Sequence, residues 1–263
     1  MTIRLLTRTL SIASFFAISL FSMAFASSEQ HTAKPWQIAM REPASPVMER
    51  LFGFHNSLLV LITVISLFVL GLMIWVCVRY RESANPEPSK TTHNNVLEVA
   101  WTAIPALILC VIGYVAWHHL YYMDDVDTDA DMTIKVVGYQ WYWNYEYPDH
   151  GGFSFDSYMI KEDDEAKPAD YIRLLSVDNA IVVPVNTKVR VQITGGDVIH
   201  SWALPNFGLK TDAVPGLLNE TWFTATKTGM FYGQCSELCG VRHGFMPINV
   251  RVVSQEEFEA WVA

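Results

Sequence analysis

Charged residues are scarce in this 263-residue sequence. They make up 17% of the chain, whereas hydrophobic residues make up 51%. So apolar a composition is unusual for a protein that folds entirely in water, and it predicts a membrane portion. Basic residues are the rarer charge, with 18 Lys and Arg against 27 Asp and Glu, so no nucleic acid is expected as a partner. The sequence also lacks any Cys-x-x-Cys-His run, which excludes a c-type haem attachment site.

Residues 1–26 have the pattern of a secretory signal peptide. Arg4 and Arg8 precede an apolar run, which ends in the small-residue cleavage pattern Ala24-Phe25-Ala26. A third membrane anchor is the alternative, but the run is short and is interrupted by serines. Cleavage would leave residues 27–50 as an exported N-terminal segment.

Two long stretches without charged residues predict a two-helix transmembrane hairpin within residues 51–122. They cover residues 56–78 and 99–117, and each is near the roughly 20 residues that a helix needs to cross a bilayer. The loop between them carries three basic residues, whereas a run of aspartates follows the second stretch. The loop is therefore expected in the cytoplasm. Both chain ends should lie in the periplasm of a bacterium, with the hairpin in its inner membrane.

Residues 123–263 are predicted to form an exported β domain. From Asp124 onward there are 21 acidic and 10 basic residues, a formal charge of −11, which should attract basic partners. Segments rich in β-branched and aromatic residues predict strands at 132–143, 171–177, 180–185, 188–194 and 247–253. Strands of this kind predict a β-sandwich or barrel. Ser254 and Glu257 have the spacing of a capping box for a short final helix.

The run GQCSELCGVRHGFMP, residues 233–247, contains two cysteines, a histidine and a methionine. Cys235 and Cys239 could form a disulfide in an oxidising compartment, or half of a zinc site. A disulfide would need neither His243 nor Met246, and zinc seldom binds a thioether. Copper accounts for all four residues, because thiolate and thioether ligands select it and imidazole also suits it.

The number of thiols bears on the number of metal ions. A mononuclear blue-copper site uses one cysteine, two histidines and a weak methionine ligand. The second cysteine here is enough for two ions that share bridging sulfurs. His200, just after a predicted strand, is the candidate for the missing second imidazole, and a role as a buried core histidine is its alternative.

The chain resembles subunit II of the aa3-type cytochrome c oxidases, the alphaproteobacterial and mitochondrial family. The resemblance rests on C-S-E-L-C-G-V-R-H-G-F-M, V-I-H-S-W, G-Y-Q-W-Y-W-N-Y-E-Y and the helical hairpin. It implies a membrane-anchored all-β protein, with a cupredoxin-like β-sandwich that holds the dinuclear copper centre called CuA. The ligands that it implies are Cys235 and Cys239 as bridges, His200 and Met246 on one ion, and His243 with the backbone carbonyl of Glu237 on the other.

The resemblance also implies roles for residues that do not bind copper. Trp141 would receive the electron from cytochrome c, Glu237 would bind a Mg²⁺ ion shared with subunit I, and Glu98 would lie at the mouth of a proton path. The alternatives are a core-strand tryptophan, a solvated carboxylate, and an acid that the helix dipole favours. The acids implied to meet cytochrome c are Glu146, Asp178 and Asp197.

Four positions depart from the family pattern. Gly151 and Gly152 stand where the mitochondrial form has acids, Gly196 replaces another acid, and Leu217 takes the place of a usual arginine. The implied partners remain oxidase subunits I and III, cytochrome c and the lipid bilayer. A quinol oxidase counterpart would lack the copper ligands, and a membrane-anchored copper carrier is disfavoured by the bridging spacing of the thiols.

Overall fold

The chain consists of a helical hairpin followed by a β domain. The computed structural model describes residues 29–126, 129–165 and 167–263, and the predicted signal peptide lies outside them. Helix α1 runs over Pro46–Arg79 and helix α2 over Asn95–Met123. Both helices are long and apolar enough to cross a membrane, as the sequence predicts.

Both helices begin before the uncharged stretches because capping side chains precede them. The Ser45 hydroxyl accepts a hydrogen bond from the Met48 N–H at 3.0 Å. The Asn94 side chain accepts one from the Leu97 N–H at 3.2 Å. Each cap satisfies a backbone donor that has no partner within the helix. Glu98 therefore lies in the first turn of α2, where the helix dipole favours an acid.

The β domain is built from two sheets and one separate hairpin. Its strands are β1 (Gln30–His31), β2 (Met132–Tyr139), β3 (Tyr142–Tyr147), β4 (Phe153–Ser157), β5 (Ile181–Pro184), β6 (Lys188–Gly195), β7 (His200–Leu204), β8 (Leu209–Ala213), β9 (Asn219–Thr224), β10 (Gly229–Gln234) and β11 (Pro247–Val253). The sheet orders are β1-β10-β11-β5 and β4-β3-β2-β6-β9, and β7 pairs with β8. Both sheets contribute to one hydrophobic core, which confirms the predicted β-sandwich.

Strand β6 shows how the sequence pattern orients a sheet. Val189, Val191 and Ile193 are buried, and the residues between them are partly exposed. Successive side chains of a strand point to opposite faces, so the alternation turns one face of β6 into the core. A short helix, α3 (Gln255–Val262), follows β11, and the capping box predicted at its start is present.

The prediction of a strand at residues 171–177 is wrong. The N–H groups of Leu175 and Ser176 both donate to the Ile172 carbonyl, and the Ser176 hydroxyl accepts from the Ile172 N–H at 2.8 Å. Val177 forms an isolated bridge with Met159. The serine side chain offers the backbone a local partner that competes with strand pairing, so the segment folds into a turn despite its apolar residues.

Side chains of the β domain hold the end of α2. The Trp222 Nε1–H donates to the Met123 carbonyl at 3.1 Å. The Arg190 guanidinium donates to the Val126 carbonyl, three residues after the end of the helix, at 3.0 Å. The Tyr122 ring lies 3.6 Å from the Arg50 guanidinium and 5.6 Å from the Trp222 ring. The last carbonyls of a helix have no partner within it, so the Trp222 indole satisfies one of them, and the contacts together tie the domain to the hairpin.

The buried Tyr147 hydroxyl connects the two sheets, and its removal is expected to destabilise the domain. It donates to the Val182 carbonyl and accepts from the Val182 N–H, both at 2.9 Å. Tyr147→Phe should lower the free energy of unfolding by about 1–3 kcal/mol, because two buried backbone groups lose their partner. Chemical unfolding of the β domain in the detergent-solubilised chain measures this. Tyr158→Phe, which removes an exposed hydroxyl, is the control, and equal stability of both variants would contradict the expectation.

Candidate metal centre

The loop between β10 and β11 carries the cysteine run. The two strands pair antiparallel, with Gln234 opposite Pro247. Residues 235 and 246, at the two ends of the loop, are therefore held close together. A short 3-10 helix, His243–Phe245, turns the chain back toward β11. The strand pairing thus brings the ends of the motif to one place.

The two thiols lie side by side with two further donor atoms. The Sγ atoms of Cys235 and Cys239 are 3.9 Å apart, far beyond the roughly 2.05 Å of a disulfide bond, and both thiols are free. Cys239 Sγ lies 3.6 Å from His243 Nδ1 and 3.5 Å from Met246 Sδ. The two free thiols, with an imidazole and a thioether beside them, could hold a metal ion.

Two more donors approach the Cys235 sulfur. His200 Nδ1 lies 4.0 Å from it, and the Glu237 carbonyl oxygen lies 3.4 Å from it. His200 is fully buried, and a Cβ at Gly138 would lie 2.9 Å from its ring, so a glycine is needed at that position. His200, Cys235 and Cys239 form a cluster that could hold a metal ion. The second imidazole predicted from the sequence is thus at the site.

Asp197 orients the His200 ring. Its Oδ1 lies 2.8 Å from His200 Nε2 and accepts from the Val198 N–H at 2.7 Å. Its Oδ2 accepts from the Gln140 N–H at 2.8 Å. Partial burial raises the pKa of Asp197, but these hydrogen bonds outweigh it and the net shift is downward. A fixed carboxylate on one imidazole nitrogen directs the other toward the metal. Sequence analysis predicted that Asp197 meets cytochrome c and missed its contact with His200. The D-x-x-H spacing was the one signal of that contact in the sequence.

The two sulfurs influence each other's protonation. Burial raises the pKa of Cys239, and a negative charge on Cys235 raises it further. Burial also raises the pKa of Cys235, but hydrogen bonds with His200 and the backbone outweigh it, so the net shift is downward. One thiolate is therefore favoured over two, and a bound cation is needed to ionise both thiols.

Trp141 lies in the turn between β2 and β3, at the edge of the ligand loop. Its indole Nε1–H donates to the Cys239 carbonyl at 3.3 Å, and the Gln140 side chain donates to the same carbonyl at 2.7 Å. The ring is half-buried, and a Cβ at Gly240 would lie 3.0 Å from it. Trp141 therefore packs on the loop that carries the thiols, whereas Trp143 is fully buried in β3.

Glu237 and Glu98 have different surroundings. The Glu237 side chain is exposed beside the site, while its carbonyl faces the Cys235 sulfur. Glu98 Oε1 accepts from the Asn94 N–H at 3.3 Å, which is the contact expected of an acid that stabilises the start of a helix. Glu98 thus contacts the start of its own helix, and its carboxylate is exposed.

The two remaining predicted docking acids are both at the surface. Glu146 forms a part-exposed ion pair with Lys135 at 3.2 Å, which offsets its charge. Asp178 is exposed, and its Oδ1 accepts from the N–H groups of Tyr158 and Asn179, both at 2.7 Å. Asp178 therefore has an oriented carboxylate at the surface.

The fold and the site define a copper-binding electron-transfer protein that two helices anchor in a membrane. Two family models match it: cytochrome c oxidase subunit II, periplasmic domain, over residues 132–253, and cytochrome c oxidase subunit II, transmembrane domain, over residues 33–118. The chain belongs to the cytochrome c oxidase subunit II family. It is thus part of a haem-copper oxidase, and its predicted class of membrane-anchored, cupredoxin-like β-sandwich is confirmed.

Named relatives agree with the family models. A probable cytochrome c oxidase subunit 2 of Rickettsia felis is 54% identical over 229 residues, which are 87% of this chain and 72% of the relative. Cytochrome c oxidase subunit 2 of Cereibacter sphaeroides is 45% identical over 87% of this chain and 80% of its own length. The crystallised periplasmic domain of the Bradyrhizobium japonicum subunit II is 63% identical and covers 51% of this chain and 92% of its own, with a TM-score of 0.47.

Proposed function

We propose that the chain accepts electrons from cytochrome c at a dinuclear copper centre and passes them to the haems of subunit I, where oxygen is reduced to water with proton pumping. The observation that supports this proposal is that two thiols, two imidazoles, a thioether and a carbonyl lie close together. A blue-copper site uses one cysteine, so the second thiol supports a second ion. When bound, copper supplies a one-electron carrier at this place.

Each ligand has a proposed place. Cys235 and Cys239 would bridge the two ions, because each sulfur lies within 4.0 Å of the other sulfur and of two further donors. The remaining donors would divide between the ions as His200 with Met246, and His243 with the Glu237 carbonyl. The Asp197 carboxylate keeps the His200 ring in position, so the ligands need little rearrangement when the charge of the site changes.

The residues around the ligands exclude water and substrate. His200, both cysteines and Met246 are buried, whereas His243 is partly exposed, so four of the five donor side chains are closed to a substrate. The Cys239 carbonyl receives hydrogen bonds from Gln140 and Trp141, which couples the half-buried indole to the ligand loop. A buried, rigid site of this kind suits electron transfer, with the chemistry on oxygen carried out in subunit I.

Several finer assignments belong to the same proposal. The hairpin would lie in a bacterial inner membrane, with the β domain in the periplasm after removal of the signal peptide, and subunit III would complete the assembly. Glu237 would bind Mg²⁺ with subunit I, supported by its exposed carboxylate beside the site. Glu98 would begin a proton path, supported by its exposure at the predicted cytoplasmic end of α2. Magnesium content of a Glu237→Gln oxidase and proton uptake by a Glu98→Gln oxidase test these roles.

Copper analysis and electron paramagnetic resonance of the full-length chain test the dinuclear centre. Two coppers per chain and one unpaired electron shared equally between them are the expected results. One copper per chain with a mononuclear spectrum would contradict the proposal. Reduction of the copper by a basic cytochrome c tests the proposed donor in the same sample.

The acidic surface is expected to control how fast cytochrome c associates. Asp178→Asn should slow association about twofold at low salt and reduce its salt dependence, because rim charges act mainly on the association rate. Asparagine keeps the Oδ1 acceptor for the Tyr158 N–H, so the local turn is preserved. Stopped-flow kinetics over a range of ionic strength, where the Debye length falls to about 8 Å at physiological salt, measure the effect.

Glu256→Gln is the matched control for that experiment. Glu256 is an exposed acid in the first turn of α3, and its loss changes the net charge by the same amount. Equal effects of the two variants would show that total charge, and not the predicted docking surface, controls association.

A further inference from the structure

A groove runs between the two membrane helices at the end that is nearest the β domain. It has a volume of about 530 Å³. Its α1 wall extends from Glu49 to Leu61, which is about 18 Å along the helix axis at 1.5 Å per residue. Half of a hydrocarbon core of about 30 Å is about 15 Å, so the groove has the depth of one leaflet of the bilayer. We call it the hairpin groove.

The part of the hairpin groove that lies farther from the β domain is apolar. Its lining residues there are Phe54, Leu58, Leu61, Val111, Ile112 and Val115. The Ser57 hydroxyl, which also lines the groove, donates to the Gly53 carbonyl of its own helix at 3.0 Å. Gly53 leaves open space, because a Cβ at that position would meet no atom within 4 Å. A lipid tail is as apolar as a leucine side chain, so an acyl chain matches these walls.

Two opposite charges line the hairpin groove at its end next to the β domain. Glu49 and Arg50 precede the uncharged stretch that starts at residue 56 by one to two helical turns, which places them near the lipid headgroups. The Arg50 guanidinium lies 3.6 Å from the centre of the Tyr122 ring, and a guanidinium stacked by its face can still bind a phosphate through its N–H edge. Neither charge has an ion-pair partner among the described residues.

His119 adds a polar group to the α2 wall of the hairpin groove. Its ring lies 5.2 Å from the Phe54 ring, and its Nδ1 atom is buried without a hydrogen-bond partner among the described residues. Buried polar atoms in folded proteins are nearly always hydrogen-bonded. An unsatisfied one that belongs to the lining of a groove therefore points to a bound molecule with an acceptor oxygen.

We propose that the hairpin groove binds one phosphatidylethanolamine molecule from the leaflet next to the β domain. One acyl chain fills the apolar part, Arg50 donates to the phosphate, and His119 Nδ1 donates to an ester oxygen. Glu49 accepts from the primary ammonium group, which has three donors. Phosphatidylglycerol has no cation for Glu49 and brings only like charge to it. This inference goes beyond the proposed function, because it concerns the membrane hairpin and not the copper centre.

Two glycine substitutions test whether the lipid occupies the groove. Gly53→Leu places a side chain in the open space of the groove. Gly113→Leu is the matched control, since Gly113 also has no atom within 4 Å of an added Cβ and lies outside the lining residues. The intact oxidase is delipidated and supplied with deuterated phosphatidylethanolamine, and native mass spectrometry counts the bound lipid. We expect Gly53→Leu to bind one molecule fewer per chain than the wild type, and Gly113→Leu to bind the same number.

Substitutions of the two charges test the headgroup. Arg50→Gln should weaken binding at this site about 5- to 10-fold, because a charge-assisted hydrogen bond to the phosphate is lost. Arg50→Lys keeps the charge and should retain most of the affinity. Glu49→Gln should remove the preference for phosphatidylethanolamine over phosphatidylglycerol when the two lipids are supplied in equal amounts.

Three results would overturn the inference. Equal lipid counts for the wild type and Gly53→Leu would show that no lipid fills the groove, as when a helix of subunit I covers it. Equal losses in Gly53→Leu and Gly113→Leu would assign the effect to the hairpin as a whole. Wild-type affinity and preference in both Arg50→Gln and Glu49→Gln would show that the groove takes any acyl chain. The proposed function fails separately, if cytochrome c does not reduce the wild-type copper, whatever the lipid count.

Discussion

Cys235→Ser is expected to abolish the dinuclear copper centre. A serine hydroxyl is a hard, poorly bridging ligand for a soft ion, and residue 235 lies within 4.0 Å of Cys239 Sγ, His200 Nδ1 and the Glu237 carbonyl. The copper content should fall below two per chain, and the signal of an electron shared between two ions should disappear. Metal analysis and electron paramagnetic resonance of the purified full-length variant measure both effects.

Cys110→Ser is the matched control. Cys110 is a free thiol within α2, so the same substitution there removes a thiol without touching the ligand loop. Its copper content and spectrum should equal those of the wild type. If Cys235→Ser kept two coppers and the shared signal, the sulfur of Cys235 would not be a bridge and the ligand assignment would have to be abandoned.

Trp141→Ala is expected to slow electron transfer from cytochrome c far more than it weakens binding. One lost aromatic contact at a transient interface costs about 1–2 kcal/mol, whereas the indole connects the surface to the Cys239 carbonyl at 3.3 Å. The ring is half-buried, so its loss should cost less stability than the roughly 3–5 kcal/mol of a fully buried tryptophan. Stopped-flow reduction, a melting curve and a copper count separate these effects.

Trp36→Ala provides the comparison for Trp141→Ala. Trp36 is 98% exposed in the N-terminal segment, so its removal should leave the rate of reduction unchanged. A Trp141→Ala variant that is stable, fully loaded with copper and reduced at the wild-type rate would remove Trp141 from the electron path. A variant that melts early and loses copper would instead assign the residue a structural role.

Much of the architecture could be predicted because it depends on local pattern. The hairpin follows from two uncharged stretches, and the orientation of β6 follows from the alternation of Val189, Val191 and Ile193. The strand predicted at residues 171–177 is not formed, for a local reason that the composition of the segment does not show. Ser176 binds the Ile172 N–H with its hydroxyl, and a single serine outweighs the strand preference of the residues around it.

Four of the proposed metal ligands, within residues 235–246, could be predicted because they are close in sequence and chemically distinctive, whereas His200 lies 35 positions from Cys235. The hydrogen bonds that hold the ligand loop could not be predicted, because their donors lie in distant parts of the chain. The hydrogen bond from Gln140 to the Cys239 carbonyl spans 99 positions, and the bond from the Trp143 indole to the Met246 carbonyl spans 103. Asp197 is only three positions from His200, yet a carboxylate near a histidine is too common in sequences to assign its role without coordinates.

The contacts between α2 and the β domain link the placement of that domain to the thickness of the bilayer. A domain on a plain linker would by default move relative to its anchor. Here Trp222 and Arg190 hold the end of α2, so a change of helix tilt is passed to the domain as a rotation. The uncharged stretch of α1, residues 56–78, is about 35 Å long, slightly more than a hydrocarbon core of about 30 Å, and such a stretch adjusts to membrane thickness by tilting. The acyl-chain length of the lipids is therefore expected to change the angle at which the β domain holds the thiols.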